Sequence, residues 1–144
     1  MAMNVSKKLN SPTLKRWVFL TAASLHAAFA LWMLTDPSGW FAAIPGVVDT
    51  GPYNHHLVRD VGIAFLTVAG GFAVAAAWPA AAFPILLVVS IWFVGHALTH
   101  VADIFSGALP PSHILMDVPG VFLPAILSVL LAFWTRSDFL GKRP

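Results

Sequence analysis

The chain has 144 residues, 58% of them hydrophobic and only 10% charged, and its mean hydropathy is +0.81. Soluble domains run at about 45–50% apolar and about 25% charged, so this composition excludes a soluble globular enzyme. An aromatic content of 12% likewise excludes a disordered chain. A net charge of +2 carried on eight scattered basic residues excludes nucleic acid as a partner. The absence of cysteine excludes disulfides, thiolate metal sites, CxxCH haem attachment and cysteine nucleophiles. The length fits a single domain, residues 1–144.

A helix needs roughly 20 mostly apolar residues to cross a hydrocarbon core about 30 Å thick. Four stretches meet this requirement, which predicts an all-α, polytopic bundle of four transmembrane helices. The first covers residues 17–35 and is closed by Asp36-Pro37-Ser38-Gly39. Its basic lead (Lys7, Lys8, Lys15, Arg16) and Ala28-Phe29-Ala30 have the form of a signal peptide. The apolar run continues through Leu31-Trp32-Met33-Leu34, however, so it is read as a membrane span. The second helix covers residues 56–78 and stops at Trp78-Pro79. The third covers residues 83–105 and stops before Gly107, Pro110 and Pro111. The fourth covers residues 113–134, with Pro119 and Pro124 predicted to bend it. Gly62, Gly70 and Gly71 are expected to permit close helix packing.

Four crossings place seven of the eight Lys and Arg residues on one side, Arg59 being the exception, and basic residues mark the cytoplasmic side. Both termini are therefore expected in the cytoplasm, with a bacterial inner membrane as the location. Trp17, Trp78 and Trp134 are expected at the inner interface, and Trp32, Trp40 and Tyr53 at the outer one. The loop between helices one and two carries the apolar run Trp40-Phe41-Ala42-Ala43-Ile44-Pro45, expected on the membrane surface or folded over the bundle mouth. His56-Leu57-Val58-Arg59-Asp60-Val61 aligns with His113-Ile114-Leu115-Met116-Asp117-Val118. This weak repeat would set the two HxxxD pairs facing each other.

The polar residues within these spans carry the chemistry. Helix three has His96, His100 and Asp103 in a stripe about 60° wide. Helix two has His56 and Asp60 at i, i+4 with Arg59 beside them, and helix four has His113 and Asp117 at i, i+4. By depth they form one layer in the outer half of the bundle, with His26 somewhat deeper. Ionisable groups at the centre of a membrane span cost about 2.5–3.5 kcal/mol each on insertion scales, so the layer must pair, bind something or face water. Imidazole and carboxylate are ligands for Zn, Cu, Fe or Mn, and bundles build such sites from facing helices. The ligand pool is His56, Asp60, His96, His100, Asp103, His113 and Asp117, with His26 and Arg59 as further polar groups. His55 is out of phase with His56 and lies closer to water, so His96 and His100 are expected to matter more.

The four helices, Asp36-Pro37 after the first, and Arg59-Asp60-Val61-Gly62 followed by Gly70-Gly71 resemble the DoxX-like superfamily of small bacterial membrane proteins. The resemblance implies a link to sulfur-compound oxidation with quinone reduction. His96, His100 and His113 are not part of its pattern. The leading expectation is an outward-facing metal site, redox or hydrolytic, acting on a membrane-accessible quinone or lipid-like substrate. The competing expectations are a proton-coupled transporter, working as a homo-oligomer or within a larger complex, a non-catalytic accessory subunit of a membrane complex, and a haem protein using His26 with His96 or His100 as axial ligands.

Overall fold

The computed structural model describes residues 11–141. Lys7, Lys8, Lys142 and Arg143, which contribute to the charge asymmetry, lie outside them. Helix α1 (Pro12–Thr35) begins where Ser11 Oγ accepts the amide of Leu14 at 3.1 Å, with Pro12 in the first helical position. It thus starts about one turn before the apolar stretch, because a polar cap rather than hydropathy sets its start. Asp36 ends α1 with its own N–H on the Trp32 carbonyl, and its carboxylate caps the short α2 (Pro37–Ala43) through the Gly39 amide at 2.9 Å. A 3₁₀ turn follows at Val47–Thr50. Asn54 Oδ1 accepts the His56 and Leu57 amides and starts α3 (His55–Ala77), and α4 spans Ala82–Ser106.

The fourth crossing departs from a simple bent helix. A single turn, α5 (His113–Met116), precedes it, and it runs through a π turn (Val118–Phe122) into α6 (Leu123–Leu140). Pro119 and Pro124 have no N–H for the carbonyls one turn behind them, so the α-helical ladder is interrupted at both. The Asp117 carbonyl accepts from Val121 at 2.8 Å and from Phe122 at 3.1 Å, and Val118 accepts from Leu123, which widens the turn between the two prolines.

Four helices are long and apolar enough to cross a membrane, as an integral membrane protein requires: Pro12–Thr35, His55–Ala77, Ala82–Ser106 and Val118–Leu140. α1 packs along α3, α4 packs along α6, and the α3–α4 turn joins the two pairs. Lys15 on α1 reaches Asp138 on α6 at 2.7 Å, so the described chain begins and ends at one end of the bundle. The long α2 loop and α5 occupy the other, here called the loop end. The core is mostly small residues with a few large ones between them: Ala23, Ala75, Ala76, Ala82, Ala97, Ala125 and Ala132 around Phe19, Phe72, Leu86 and Phe93. Gly62 sits where a Cβ would approach Met33 Cβ to 3.0 Å, which allows α1 and α3 to close together. Gly70, by contrast, meets nothing within 4 Å and has no packing role. The outward residues are large and apolar, among them Ile91 (72% exposed) and Val88 (67%), as a lipid-facing surface demands.

Trp17 and Trp78 are exposed near the termini end, as an interfacial belt expects. Trp134 lies at the same end but is only half-exposed. It packs edge-on against Phe19 with ring centroids 6.3 Å apart and lies under the Lys15 ammonium at 5.4 Å. Trp40 folds inward and its indole nitrogen is buried.

Candidate metal centre

α4 brings His96 and His100 onto one face, a turn apart, with ring centroids at 4.7 Å. His96 stacks on Trp92, also one turn away, with centroids 5.9 Å apart and ring planes nearly parallel. α5 and the π turn bring up His113 and Asp117 from the facing chain segment. Asp117 stands at the C-cap of α5 and at the start of the π turn, so its carboxylate position depends on the proline-interrupted segment.

The Asp117 carboxylate is the centre of the cluster. It accepts from His100 Nδ1 at 2.7 Å and from His113 Nδ1 at 3.1 Å. His113 Nε2 in turn donates to Asp49 Oδ2 at 3.1 Å, across from the 3₁₀ turn. His113 and Asp117 are buried, with side chains 1% and 7% exposed; His100 is 13% exposed and Asp49 45%. Among the described residues, His100, His113 and Asp117 form the one group offering three ligand atoms that all lie within 4.8 Å of one another.

Gly46 fixes the loop over this cluster. Its φ is +79°, a left-handed conformation that favours glycine, and an added Cβ would lie 2.7 Å from Met116 Sδ and 2.8 Å from His113 Cε1. The apolar loop thus folds over the bundle mouth, and Asp49 arrives with it.

Burial opposes a positive charge on His113. The hydrogen bonds that the ring donates to Asp49 and Asp117, together with the charges of the two carboxylates, outweigh that cost and raise the pKa of the ring above its ordinary value. Both ring nitrogens of His113 thus face a carboxylate oxygen, Nδ1 that of Asp117 and Nε2 that of Asp49.

The seven candidate ligands therefore separate. His100, His113 and Asp117 converge, and His96 adjoins them through His100. His56 and Asp60 pair only with each other, at 3.3 Å, with side chains 87% and 60% exposed. Arg59 is exposed beside them. In a bundle whose outer surface is apolar, that places these three on the wrong face of α3 for the cluster. The two HxxxD pairs consequently do not face each other, since one is exposed and the other buried. Asp103 is half-buried, and its main-chain carbonyl takes the Ser106 hydroxyl and the Leu109 amide. His26 Nδ1 donates to the Ala22 carbonyl at 2.7 Å, and Phe65, Phe72 and Phe93 surround its ring at centroid distances of 5.3–5.8 Å. His55 is exposed near Tyr53 Oη.

The chain matches no protein-family model, no curated protein and no solved structure. What the site does therefore rests on its own geometry.

Proposed function

We propose that this is an integral membrane metalloprotein that holds one ion on His100, His113 and Asp117 at the loop end of the bundle. One observation carries the reading: three ligand groups, two of them buried and one half-buried, converge, and the His113 ring is already oriented by Asp49. A metal-ligating histidine characteristically gives its other N–H to a carboxylate, which fixes the tautomer and raises the basicity of the ligating nitrogen. The Nε2–H of His113 on Asp49 leaves Nδ1 for the ion, and Nδ1 points at Asp117. In a tetrahedral site with ligand distances of ~2.0–2.1 Å, ligand atoms stand about 3.3 Å apart. The two imidazole–carboxylate distances, 2.7 and 3.1 Å, would open by a few tenths of an ångström as the Nδ1 protons leave, and all three ligand atoms already lie within 4.8 Å of one another.

Three protein ligands leave a fourth position for water or substrate, the pattern of catalytic rather than structural sites. Zn, Cu, Fe or Mn suits His/Asp ligation, and the reaction is redox or hydrolytic accordingly. The site stands at one end of lipid-facing helices, so an amphiphile such as a quinone or lipid is the proposed substrate class. The DoxX-like resemblance points the same way. The basic residues near the termini support a reading in which that end faces the cytoplasm of a bacterium and the metal site faces outward. Phenylalanines against His26 occupy the space a haem would need there, which favours a single ion over haem.

A second reading has its own support. Asp49, His113, Asp117 and His100 form a hydrogen-bonded series of titratable groups from an exposed carboxylate to α4, with the His96 ring edge-on against His100 beyond it, and such series conduct protons in transport proteins. The test is metal add-back after chelation, read by thermal stability. The metal reading expects a saturable stabilisation by one of the four ions that is lost in His100→Ala and kept in His56→Ala. Identical responses of wild type and His100→Ala would leave the relay as the better reading.

A further inference from the structure

At the opposite end of the bundle, away from the metal centre, a cavity of about 220 Å³ opens between α1, the α3–α4 turn and α6. Most of its wall is apolar, including Phe19, Ala75 and Ala76, but two cations line it, Lys15 and Arg16. Lys15 is 4% exposed, an unusual setting for an ammonium group. It has three N–H donors. One goes to Asp138 Oδ2 at 2.7 Å, and the Trp134 ring lies 5.4 Å below the charge. No other hydrogen bond engages it among the described residues, so donors remain for a further acceptor. Lys15 and Asp138 cancel in charge. Arg16 has no ion-pair partner among the described residues, so the cavity carries one net positive charge. Trp17 and Trp78, exposed at the same end, mark the level at which headgroups lie.

A buried cation and a guanidinium with donors not taken up among the described residues, set against an apolar wall, together describe a receptor for an anionic head with a hydrocarbon body. We propose that the cavity seats the phosphate of an anionic phospholipid, its oxygens on Lys15 and Arg16 and the first methylenes of one acyl chain against Phe19, Ala75 and Ala76. Basic pockets between transmembrane helices recognise lipid phosphates by this chemistry, and guanidinium meets phosphate with two parallel N–H donors. A zwitterionic lipid would bring its own ammonium group toward Arg16 and is disfavoured. The proposal depends on membrane placement and not on the metal.

The test compares the purified chain in nanodiscs of phosphatidylcholine with and without phosphatidylglycerol. Bound lipid is counted by native mass spectrometry, and stability is followed by thermal unfolding. Phosphatidylglycerol is expected to remain bound and to raise the Tm. Arg16→Gln, an exposed and structurally mild change, is expected to weaken that binding about fivefold, the factor for one basic residue at an anionic surface. Ala76→Leu fills the cavity without altering charge and, whatever it does to the Tm in pure phosphatidylcholine, is expected to abolish the difference in Tm between the two lipid compositions. Equal retention of the two lipids, or an undiminished gain in both variants, would overturn the proposal. An equal gain from inorganic phosphate alone would assign the site to a soluble anion and overturn the lipid assignment.

Discussion

Asp49→Asn separates the chemistry of the cluster from its architecture. The amide keeps an oxygen where the carboxylate oxygen stood, so His113 Nε2–H retains an acceptor near 3.1 Å, but the negative charge is gone. Because the Asp49 side chain is 45% exposed, water already screens its pairing with His113, and the charge contributes on the order of 0.5–1 kcal/mol to folding. The thermal midpoint of the metal-free protein should therefore fall only slightly. Metal affinity should respond far more, because a carboxylate behind a ligating imidazole raises the basicity of the nitrogen that holds the ion. Removing such a partner costs about 10–100-fold in affinity. Competition against a chelator of known strength, with wild type and variant in the same detergent, measures the ratio. An affinity within twofold of wild type would refute the assignment of Nδ1 as the metal-facing nitrogen. A large loss of stability with no change in affinity would show that Asp49 is only a loop anchor.

Three further outcomes are expected. In the metal-free protein His113 titrates above its ordinary value. The stability it contributes is therefore complete below the unfolded-chain pKa of about 6.5 and is lost as pH rises through the raised folded pKa. Metal affinity runs the opposite way and increases across that window, since the ion competes with the Nδ1 proton, and chelator competition at stepped pH reads both the window and the sign. Gly46→Ala places a side chain in a left-handed backbone against Met116 and His113. It should cost at least about 1–2 kcal/mol, seen as a lower Tm and weaker metal binding together. Because the chain has no cysteine, single Ser106→Cys and Ser137→Cys variants report topology directly. An impermeant thiol reagent on intact cells should label the first and spare the second, and the reverse pattern would invert the orientation.

The four crossings were legible in the sequence because hydropathy and helix breakers act locally. Breaks at Asp36-Pro37, Trp78-Pro79 and Gly107 set α1, α3 and α4 to within a few residues, apart from the Ser11-capped start of α1. The irregular turn at Val118–Phe122 was less legible, because two prolines announce a bend but not that Asp117 O will take two amides. The site was legible in part. Helical phase placed His113 with Asp117, and depth placed His100 near them. Phase says which residues share a face, not which face turns inward. In a soluble helix polarity would decide, but here lipid-facing and core-facing sides are both apolar, and α3 turned His56, Arg59 and Asp60 outward. Asp49 had no periodic signal at all, since it lies in a 3₁₀ turn whose position is fixed by Gly46 and by packing on His113. The loop's apolar run hinted that it folds back, and a carboxylate a few residues later in such a loop was the available clue.

The central claim, that His100, His113 and Asp117 hold an ion, is tested most directly by elemental analysis. The chain is purified without a metal-affinity tag, and metal is counted per protein in wild type and in His100→Ala, His113→Ala and His56→Ala. The expected result is close to one Zn, Cu, Fe or Mn per chain in wild type and in His56→Ala, with loss of that ion in the other two. Substoichiometric metal in wild type that does not increase on reconstitution, or equal metal in all four proteins, would contradict it.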